Sequence, residues 1–274
     1  MLSKEEFVRW IDASHDLFQV FEGRYDAYPI ARRWVDELFS KGRFSIDDSD
    51  RERLGKLVNN LNFDAFGIKE KVKESIRSEL TALLDRIDDH QSSAGFAVSF
   101  FLFTWNLQRF RKYFERKPEF SLVEYFEQVG EGLEKAKDTL LSFRNRNLLF
   151  DEINESEVKD VFYRINEILR EVGIRNNEPI GTIKLLHMFF PAYFQLLDNP
   201  IAVQLGLKLR NKSIDAEFYI GWMMKLKNWL SNYKEVVSEL ENRHDYGILK
   251  LVDEGLYIMC SVNLQIRTAK LGIL

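Results

Sequence analysis

Apolar side chains recur every three or four residues along most of the chain, and this spacing limits the fold more than any other feature. Such spacing places side chains on one face of an α-helix. Period-two alternation, which is typical of half-buried strands, is not convincing anywhere in the 274 residues. The sequence therefore predicts an all-α protein, a globular bundle of about nine or ten helices. One of the clearest runs is Ile68, Val72, Ile76, Leu80, Leu83, Leu84 and Ile87.

Capping signals place the first two helices. Ser3 and Glu6 have the spacing of a capping box, so the first helix is expected over 4–21. Pro29 suits the start of a second helix, and Gly42 suits its end.

Further long helices are expected over 68–87, over 121–143, from Ser213 to about Leu240, and from Asp245 onward. The apolar seams of 68–87 and 121–143 suit helices that pack side by side. A helical partner protein, a homodimer or packing within the chain would each explain these seams.

Charge and composition bound the class of protein. With 45% apolar and 30% charged residues, the chain is expected to fold into an ordinary globular protein. The formal net charge is −4, whereas proteins that bind phosphate backbones usually carry an excess of Lys and Arg. Bulk charge therefore argues against nucleic acid without excluding a local basic face. The acidic excess falls in residues 1–90, with 15 basic and 19 acidic residues.

The polar segment from Asp88 to Ser93 is the best candidate for a domain boundary. We expect an acidic N-terminal helical subdomain over 1–90 and a C-terminal helical domain over 91–274.

The single Cys260 lies in an apolar helical stretch and fits a reducing cytosol. The first residues lack the order of a secretory signal, and the uncharged run 91–108 is too polar for a membrane span. A cytoplasmic protein without membrane association is expected.

Several common functional motifs are missing from the sequence. Neither Gly-x-Gly-x-x-Gly nor a Walker-type phosphate loop occurs, so nucleotide chemistry has no support. The four histidines are scattered without ligand spacing, so no metal or other cofactor is expected.

The most suggestive chemistry lies between Glu178 and Gly206. Lys184 follows Gly181 on an apolar segment, where loss of solvation would lower its pKa and favour the nucleophilic amine. Asp198 precedes the next expected helix and could act as a base or an electrostatic partner. His187 is a candidate lining residue of the same site.

This arrangement resembles the core of the helix-hairpin-helix DNA glycosylase superfamily, in which a Gly-containing turn leads to a lysine on a helix and an aspartate precedes the next helix. The resemblance covers residues 179–206 and implies a role in DNA repair. It implies that Lys184 attacks the sugar carbon as a Schiff-base nucleophile and that Asp198 aids expulsion of the base. The family's Leu-Pro-Gly-x-Gly hairpin is reduced here to Glu178-Pro179-Ile180-Gly181. The loop of 14 positions from lysine to aspartate is also shorter, so a fold relative without glycosylase activity is an alternative.

Each of these residues also has a structural explanation. Asp198, with Pro200 nearby, suits the cap of a helix. Lys184 could extend its ammonium from an apolar helix to solvent. His187 could be a hydrogen-bonded imidazole of the core.

Basic residues that alternate with aromatic residues follow the uncharged run. On one face, the cations could track phosphates while exposed Phe110, Tyr113 and Phe114 stack on bases. A solvated helix end whose cations complement the helix dipole is the alternative. The predicted contacts to DNA or RNA are Arg109, Arg111, Lys112, Arg144 and Arg146.

These features together predict a nucleic-acid-associated helical protein with a glycosylase-like core, either active or catalytically inactive. A non-catalytic helical module for protein interaction or scaffolding is the alternative. The sequence leaves open whether the chain is an enzyme.

Overall fold

The computed structural model describes residues 1–23, 26–61, 63, 67–117, 119–173, 177–207, 214–261 and 271–273. These residues form fourteen α-helices, and no β-strand occurs among them. The all-α prediction is confirmed, with more helices than the nine or ten expected. No helix in the described part of the chain combines the length and hydropathy needed to cross a membrane.

The helices are, in chain order, α1 Lys4–Phe21, α2 Tyr28–Lys41, α3 Asp48–Asn60, α4 Glu70–Arg86, α5 Ala94–Thr104, α6 Leu107–Arg116, α7 Leu122–Lys135, α8 Lys137–Leu141, α9 Glu155–Val172, α10 Pro179–Phe189, α11 Asn199–Gln204, α12 Ala216–Leu230, α13 Lys234–His244 and α14 Ile248–Ser261. Short 3-10 helices cover Ile87–His90 and Ser231–Tyr233.

The described residues divide into two compact units. The first comprises Met1–Gly23, Thr139–Asn166 and Thr182–Leu274, and the second comprises Arg24–Asp138 and Glu167–Gly181. This division does not follow the boundary that we expected at residue 90. Helix α5 begins just after that boundary and packs against α2, while α7 packs against both α4 and α5, so both sides of residue 90 belong to the second unit.

In the first unit, α1 lies along α14, and α14 also packs against α11 and α13. Where α1 meets α14, the Trp10 ring covers Gly255. A Cβ atom added to Gly255 would lie 2.3 Å from Cζ2 of the Trp10 ring. Phe7 of α1 stacks on Tyr233 with ring centroids 4.1 Å apart, which fixes the start of α1 on the same core.

In the second unit, the apolar helix α5 is buried over most of its length and packs against α2 and α7. Gly95 of α5 lies so close to α7 that an added Cβ would lie 2.1 Å from the carbonyl oxygen of Phe126. Helices α4 and α7 contact each other and bury their apolar faces, so packing within the chain accounts for the seams of 68–87 and 121–143.

Capping and turn residues in the sequence predicted some helix ends correctly and failed to predict others. The capping box at Ser3 and the end of α2 at Gly42, where φ is +75°, are confirmed. The expected helix over 121–143 is interrupted at Ala136, and the one expected to reach Leu240 is interrupted at Ser231–Tyr233. Its expected start, Ser213, lies outside the described residues.

Asp245 was expected to open the last helix, and this was wrong. Its φ of +56° ends α13 in the left-handed conformation, which a short polar side chain tolerates, and α14 begins at Ile248.

The contact at Gly255 gives a test of the α1 to α14 packing. We expect Gly255→Ala to lower the free energy of unfolding by about 1–3 kcal/mol, because the methyl group would displace the Trp10 ring. Gly221→Ala in α12 is the control, since no atom lies within 4 Å of its added Cβ. The control should raise stability by about 0.5–1 kcal/mol, because alanine favours a helix interior. Urea denaturation measures both, and equal effects would contradict the proposed close packing.

Candidate functional site

Lys184 lies in α10, within a stretch from Gly181 to Phe190 in which every residue is buried. Its relative exposure is 8%. The side chain therefore does not extend into solvent, which was the structural explanation considered from the sequence. A buried ammonium needs anionic neighbours to offset its loss of hydration.

Asp198 caps α11, because its Oδ1 accepts a hydrogen bond from the backbone N–H of Ile201 at 2.8 Å. The carboxylate also acts on residues of α14, against which α11 packs. Together with burial, it raises the pKa of Cys260 to about 11. Burial, Glu22 and Asp198 likewise raise the pKa of Tyr257. Asp198 is thus a helix cap whose charge also affects the pKa values of residues on α14.

Helix α14 carries three buried charged residues in an otherwise apolar sequence. Lys250 and Glu254 are fully buried, and the Lys250 Nζ donates to Glu254 Oε1 at 2.8 Å. The second oxygen, Oε2, lies 2.7 Å from Nδ1 of His15 on α1. Lys250 Nζ also lies 4.1 Å from the ring centroid of Phe18. Burial acts to raise the pKa of Glu254, but Lys250 and His15 together hold it below its ordinary value.

Asp253 is the third charged residue of α14, and its relative exposure is 5%. Burial raises its pKa to about 7, Lys250 and Lys184 act to lower it, and Asp198 and Glu254 act to raise it. The pKa of Asp253 therefore depends on the charges of both Lys184 and Asp198. We call Lys184, Asp198, Lys250, Asp253, Glu254 and His15 the buried charge cluster. A carboxyl group that changes protonation near neutral pH is suited to proton transfer.

His187 occupies a core position in α10. The ring is fully buried, and its Nδ1 lies 2.7 Å from the carbonyl oxygen of Phe194. This contact ties α10 to the segment that leads into α11. The arrangement matches the structural explanation considered for His187, that of a hydrogen-bonded core imidazole.

The basic residues of α6 are largely engaged within the second unit. Arg109 forms an ion pair with the buried Glu178, which also accepts a hydrogen bond from the Tyr113 hydroxyl at 2.9 Å. Arg111 lies 3.4 Å from Glu115, and Lys112 is half-buried.

The hypothesis of base stacking requires exposed aromatic residues on α6, and the structure does not place them so. Phe110, Tyr113 and Phe114 are all buried. Their spacing of three and four residues places them on one face of the helix, and that face is apolar core.

Arg144 and Arg146 belong to the first unit, whereas the basic residues of α6 belong to the second. Arg144 is exposed. Arg146 pairs with Glu157 and lies 4.6 Å from the ring centroid of Phe143. The surface depression beside Glu157, with a volume of about 340 Å³, is also lined by Asp160. Two carboxylates in this depression make it unsuited to a phosphate.

Lys250, Asp253 and Glu254 were not predicted as site residues, although the sequence contains a signal for them. Three charges at positions i, i+3 and i+4 share one face of a helix, and here that face interrupts an apolar segment. The apolar periodicity of a helix does not by itself reveal a second, charged face that is also buried. Among the described residues, no group of three or more His, Cys, Asp or Glu side chains is arranged to hold a metal ion.

Comparisons of the chain with protein-family models, with curated proteins and with solved structures found no match. A function for this chain must therefore be argued from the chemistry of its own residues.

Lys250 provides a test of the buried ion pair. Lys250→Met should lower the free energy of unfolding by about 3–5 kcal/mol, because it leaves the Glu254 carboxylate buried without its cation. Lys225→Met, at an exposed position of α12, is the matched control and should change stability by less than about 0.5 kcal/mol. Urea denaturation at pH 7 measures both variants. A loss for Lys250→Met no larger than that of the control would contradict the buried pair.

Asp253 provides a test by pH. Its pKa in the folded protein is about 7, above the ordinary value of 3.8, so the folded state binds the extra proton between these values. The contribution of Asp253 to stability is complete below pH 4 and is lost as the pH rises through 7. Asp253→Asn stays uncharged, so its stability relative to the wild type should increase over that range by on the order of 3 kcal/mol.

Chemical denaturation at pH 4.5, 6 and 8 measures this difference. Asp160→Asn, at an exposed position of α9, is the control and should show a much smaller change with pH. A constant difference between Asp253→Asn and the wild type at all three pH values would contradict the raised pKa.

Proposed function

We propose that the chain is a nucleic-acid-associated helical protein with a glycosylase-like core, in which Lys184 and Asp198 act on the sugar of a damaged nucleotide. One observation carries the proposal. The 2.7 Å contact of His187 with the carbonyl oxygen of Phe194 ties α10, which carries Lys184, to the segment that leads to Asp198. Both charges also affect the pKa of the buried Asp253, which Lys184 lowers and Asp198 raises.

The chemistry assigned to Lys184 is attack on the anomeric carbon by its neutral amine. At an abasic site, the Nζ atom forms a bond to the aldehyde carbon and water leaves, which gives a Schiff base. At an intact nucleotide, the same attack breaks the bond to the base, which leaves with the bonding electron pair. The carboxylate of Asp198 stabilises the positive charge that develops on the sugar.

Access to this site is proposed at the start of α11. Asp198 and Asn199 are half-buried there and Pro200 is exposed, whereas Lys184 lies deeper. A base inside a duplex cannot reach such a lysine, so the substrate is a single-stranded or extruded nucleotide.

A non-catalytic helical interaction module is the second candidate function. It is favoured by the ion pairs of Arg109, Arg111 and Arg146 with carboxylates, since paired arginines attract phosphates weakly. The formal charge of −4 points in the same direction. In this candidate function, the buried charge cluster only determines how α1, α10, α11 and α14 pack.

Borohydride trapping on DNA with an abasic site tests the catalytic proposal. The wild type should form a covalent adduct, because borohydride reduces a Schiff base to a stable amine. Lys184→Arg should form none, since arginine keeps the positive charge but cannot supply the amine. Lys225→Met should form the adduct as the wild type does. Circular dichroism of each variant shows whether the fold is intact.

A gel shift with single-stranded and double-stranded DNA at two salt concentrations separates the two candidates. Binding that weakens with salt is expected for a nucleic-acid-associated protein. If the wild type neither binds DNA nor forms an adduct at any pH, the interaction module is the better function.

A further inference from the structure

We infer that His15 and His244 form an acid-sensitive latch between α1 and the two helices α13 and α14, closed while the imidazoles are neutral and opened when both are protonated. This conformational device goes beyond the proposed function and does not depend on it. We call His15, His244, Asp12 and Glu254 the histidine latch.

The histidine latch consists of three direct contacts. Nδ1 of His15 lies 2.7 Å from Oε2 of Glu254 on α14. Nε2 of His244, the last residue of α13, lies 2.7 Å from Oδ1 of Asp12 on α1. The two imidazole rings lie beside each other, with their centroids 4.5 Å apart. Each contact joins α1 to another helix, so the latch ties α1 to both α13 and α14.

Both carboxylates of the latch are already paired with another cation. Glu254 accepts a hydrogen bond from Nζ of Lys250 at 2.8 Å, and Asp12 forms an ion pair with Arg243. These four charges balance without any charge on the imidazoles. Each neutral ring can therefore donate its single N–H to its carboxylate.

Other charged and titratable groups lie on the elements around the two rings. Tyr246, in the turn after α13, has its ring centroid 5.5 Å from that of His15. The remaining groups are Glu239 and Glu241 of α13, Asp253 of α14, and the more distant pairs of Glu22 with Tyr257 and of Lys4 with Glu235. None of these groups lies between the two imidazoles, so the rings face each other directly.

Protonation of both rings opposes the closed arrangement. Histidine is the side chain that ordinarily changes its charge between pH 5 and 8. A proton bound to the second nitrogen of each ring would place two cations side by side, where the side chains of His15 and His244 are only 13% and 9% exposed. Like charges at this distance repel strongly where little water screens them. Separation of α1 from α13 relieves this repulsion. The open state therefore binds more protons, and the closed state loses stability as the pH falls.

Opening of the latch would expose the charged face of α14. The Phe18 ring on α1 lies 4.1 Å from Nζ of Lys250, and His15 contacts Glu254 on the same side. Trp10 of α1 covers Gly255 next to them. The latch therefore controls the access of water to the ion pair of Lys250 with Glu254.

Hydrogen exchange measured by NMR on the full chain at pH 7 and pH 5 is the first test. The protection factors of amides from Trp10 to Phe18 should fall about tenfold at pH 5, as expected when opening takes up one more proton. In His244→Gln they should fall less than about twofold, because the glutamine amide can donate to Asp12 but gains no charge. His90→Gln in the second unit is the matched control and should behave as the wild type does.

The exchange data can overturn the inference in two ways. Constant protection of α1 in the wild type would do so, and so would equal losses in His244→Gln and the wild type. Amides of α5, in the second unit, show whether the whole chain unfolds, and they should keep their protection. If His244→Gln does not fold, His15→Asn replaces it, because the asparagine amide can donate to Glu254 from the position of Nδ1.

The second test follows the imidazole signals of the full chain by NMR between pH 4 and pH 8. In the wild type, the two rings should take up protons in two steps separated by at least about one pH unit, since each charge opposes the other. In His244→Gln, His15 should titrate in one step, at a pH above the lower step of the wild type. A single step at one pH for both wild-type rings overturns the latch. Neither test involves DNA, so both outcomes are independent of the proposed function.

Discussion

The packing of the first unit depends on the buried ion pair of Lys250 with Glu254. Two opposite charges in a dry interior lose more hydration energy than a pair alone regains. Helix α1 offsets part of this cost, because His15 binds the second Glu254 oxygen and the Phe18 ring lies 4.1 Å from the Lys250 Nζ. The approach of α1 to α14, which Gly255 permits under Trp10, is therefore also what makes the buried charges of α14 tolerable.

Asp253 lies on the same helix, but the cost of burying it is not offset in the same way. Its pKa of about 7 reflects burial that Lys250 and Lys184 counter only in part. An apolar residue of similar size would pack at this position without such a cost, since buried charges are often less stable than apolar replacements. Groups that reduce stability in this way are concentrated at functional sites. This is why the cluster, and not the basic residues of α6, is the basis of the proposed function.

The sequence predicted those features that depend on neighbouring residues in the chain. The periodic apolar faces of α4 and α7, the capping box at Ser3 and the left-handed Gly42 all follow from local chemistry. The breaks at Ala136 and Ser231–Tyr233 do not, because tertiary packing decided them. The same holds for the site. Lys184 and Asp198 could be selected by residue type and spacing, but Asp253, whose pKa both of them affect, lies more than 50 positions further along the chain.

Counting basic residues along the sequence suggests a more positive surface than the structure has, because the structure contains ion pairs that the sequence does not reveal. Arg109 and Arg146 look free in the sequence, yet each forms an ion pair with a glutamate. An arginine matched in this way adds little to the potential that attracts phosphates. Any association with nucleic acid would then be weak and sensitive to salt. In the proposed function, selectivity would therefore depend on Lys184 and Asp198 more than on contacts with the phosphate backbone.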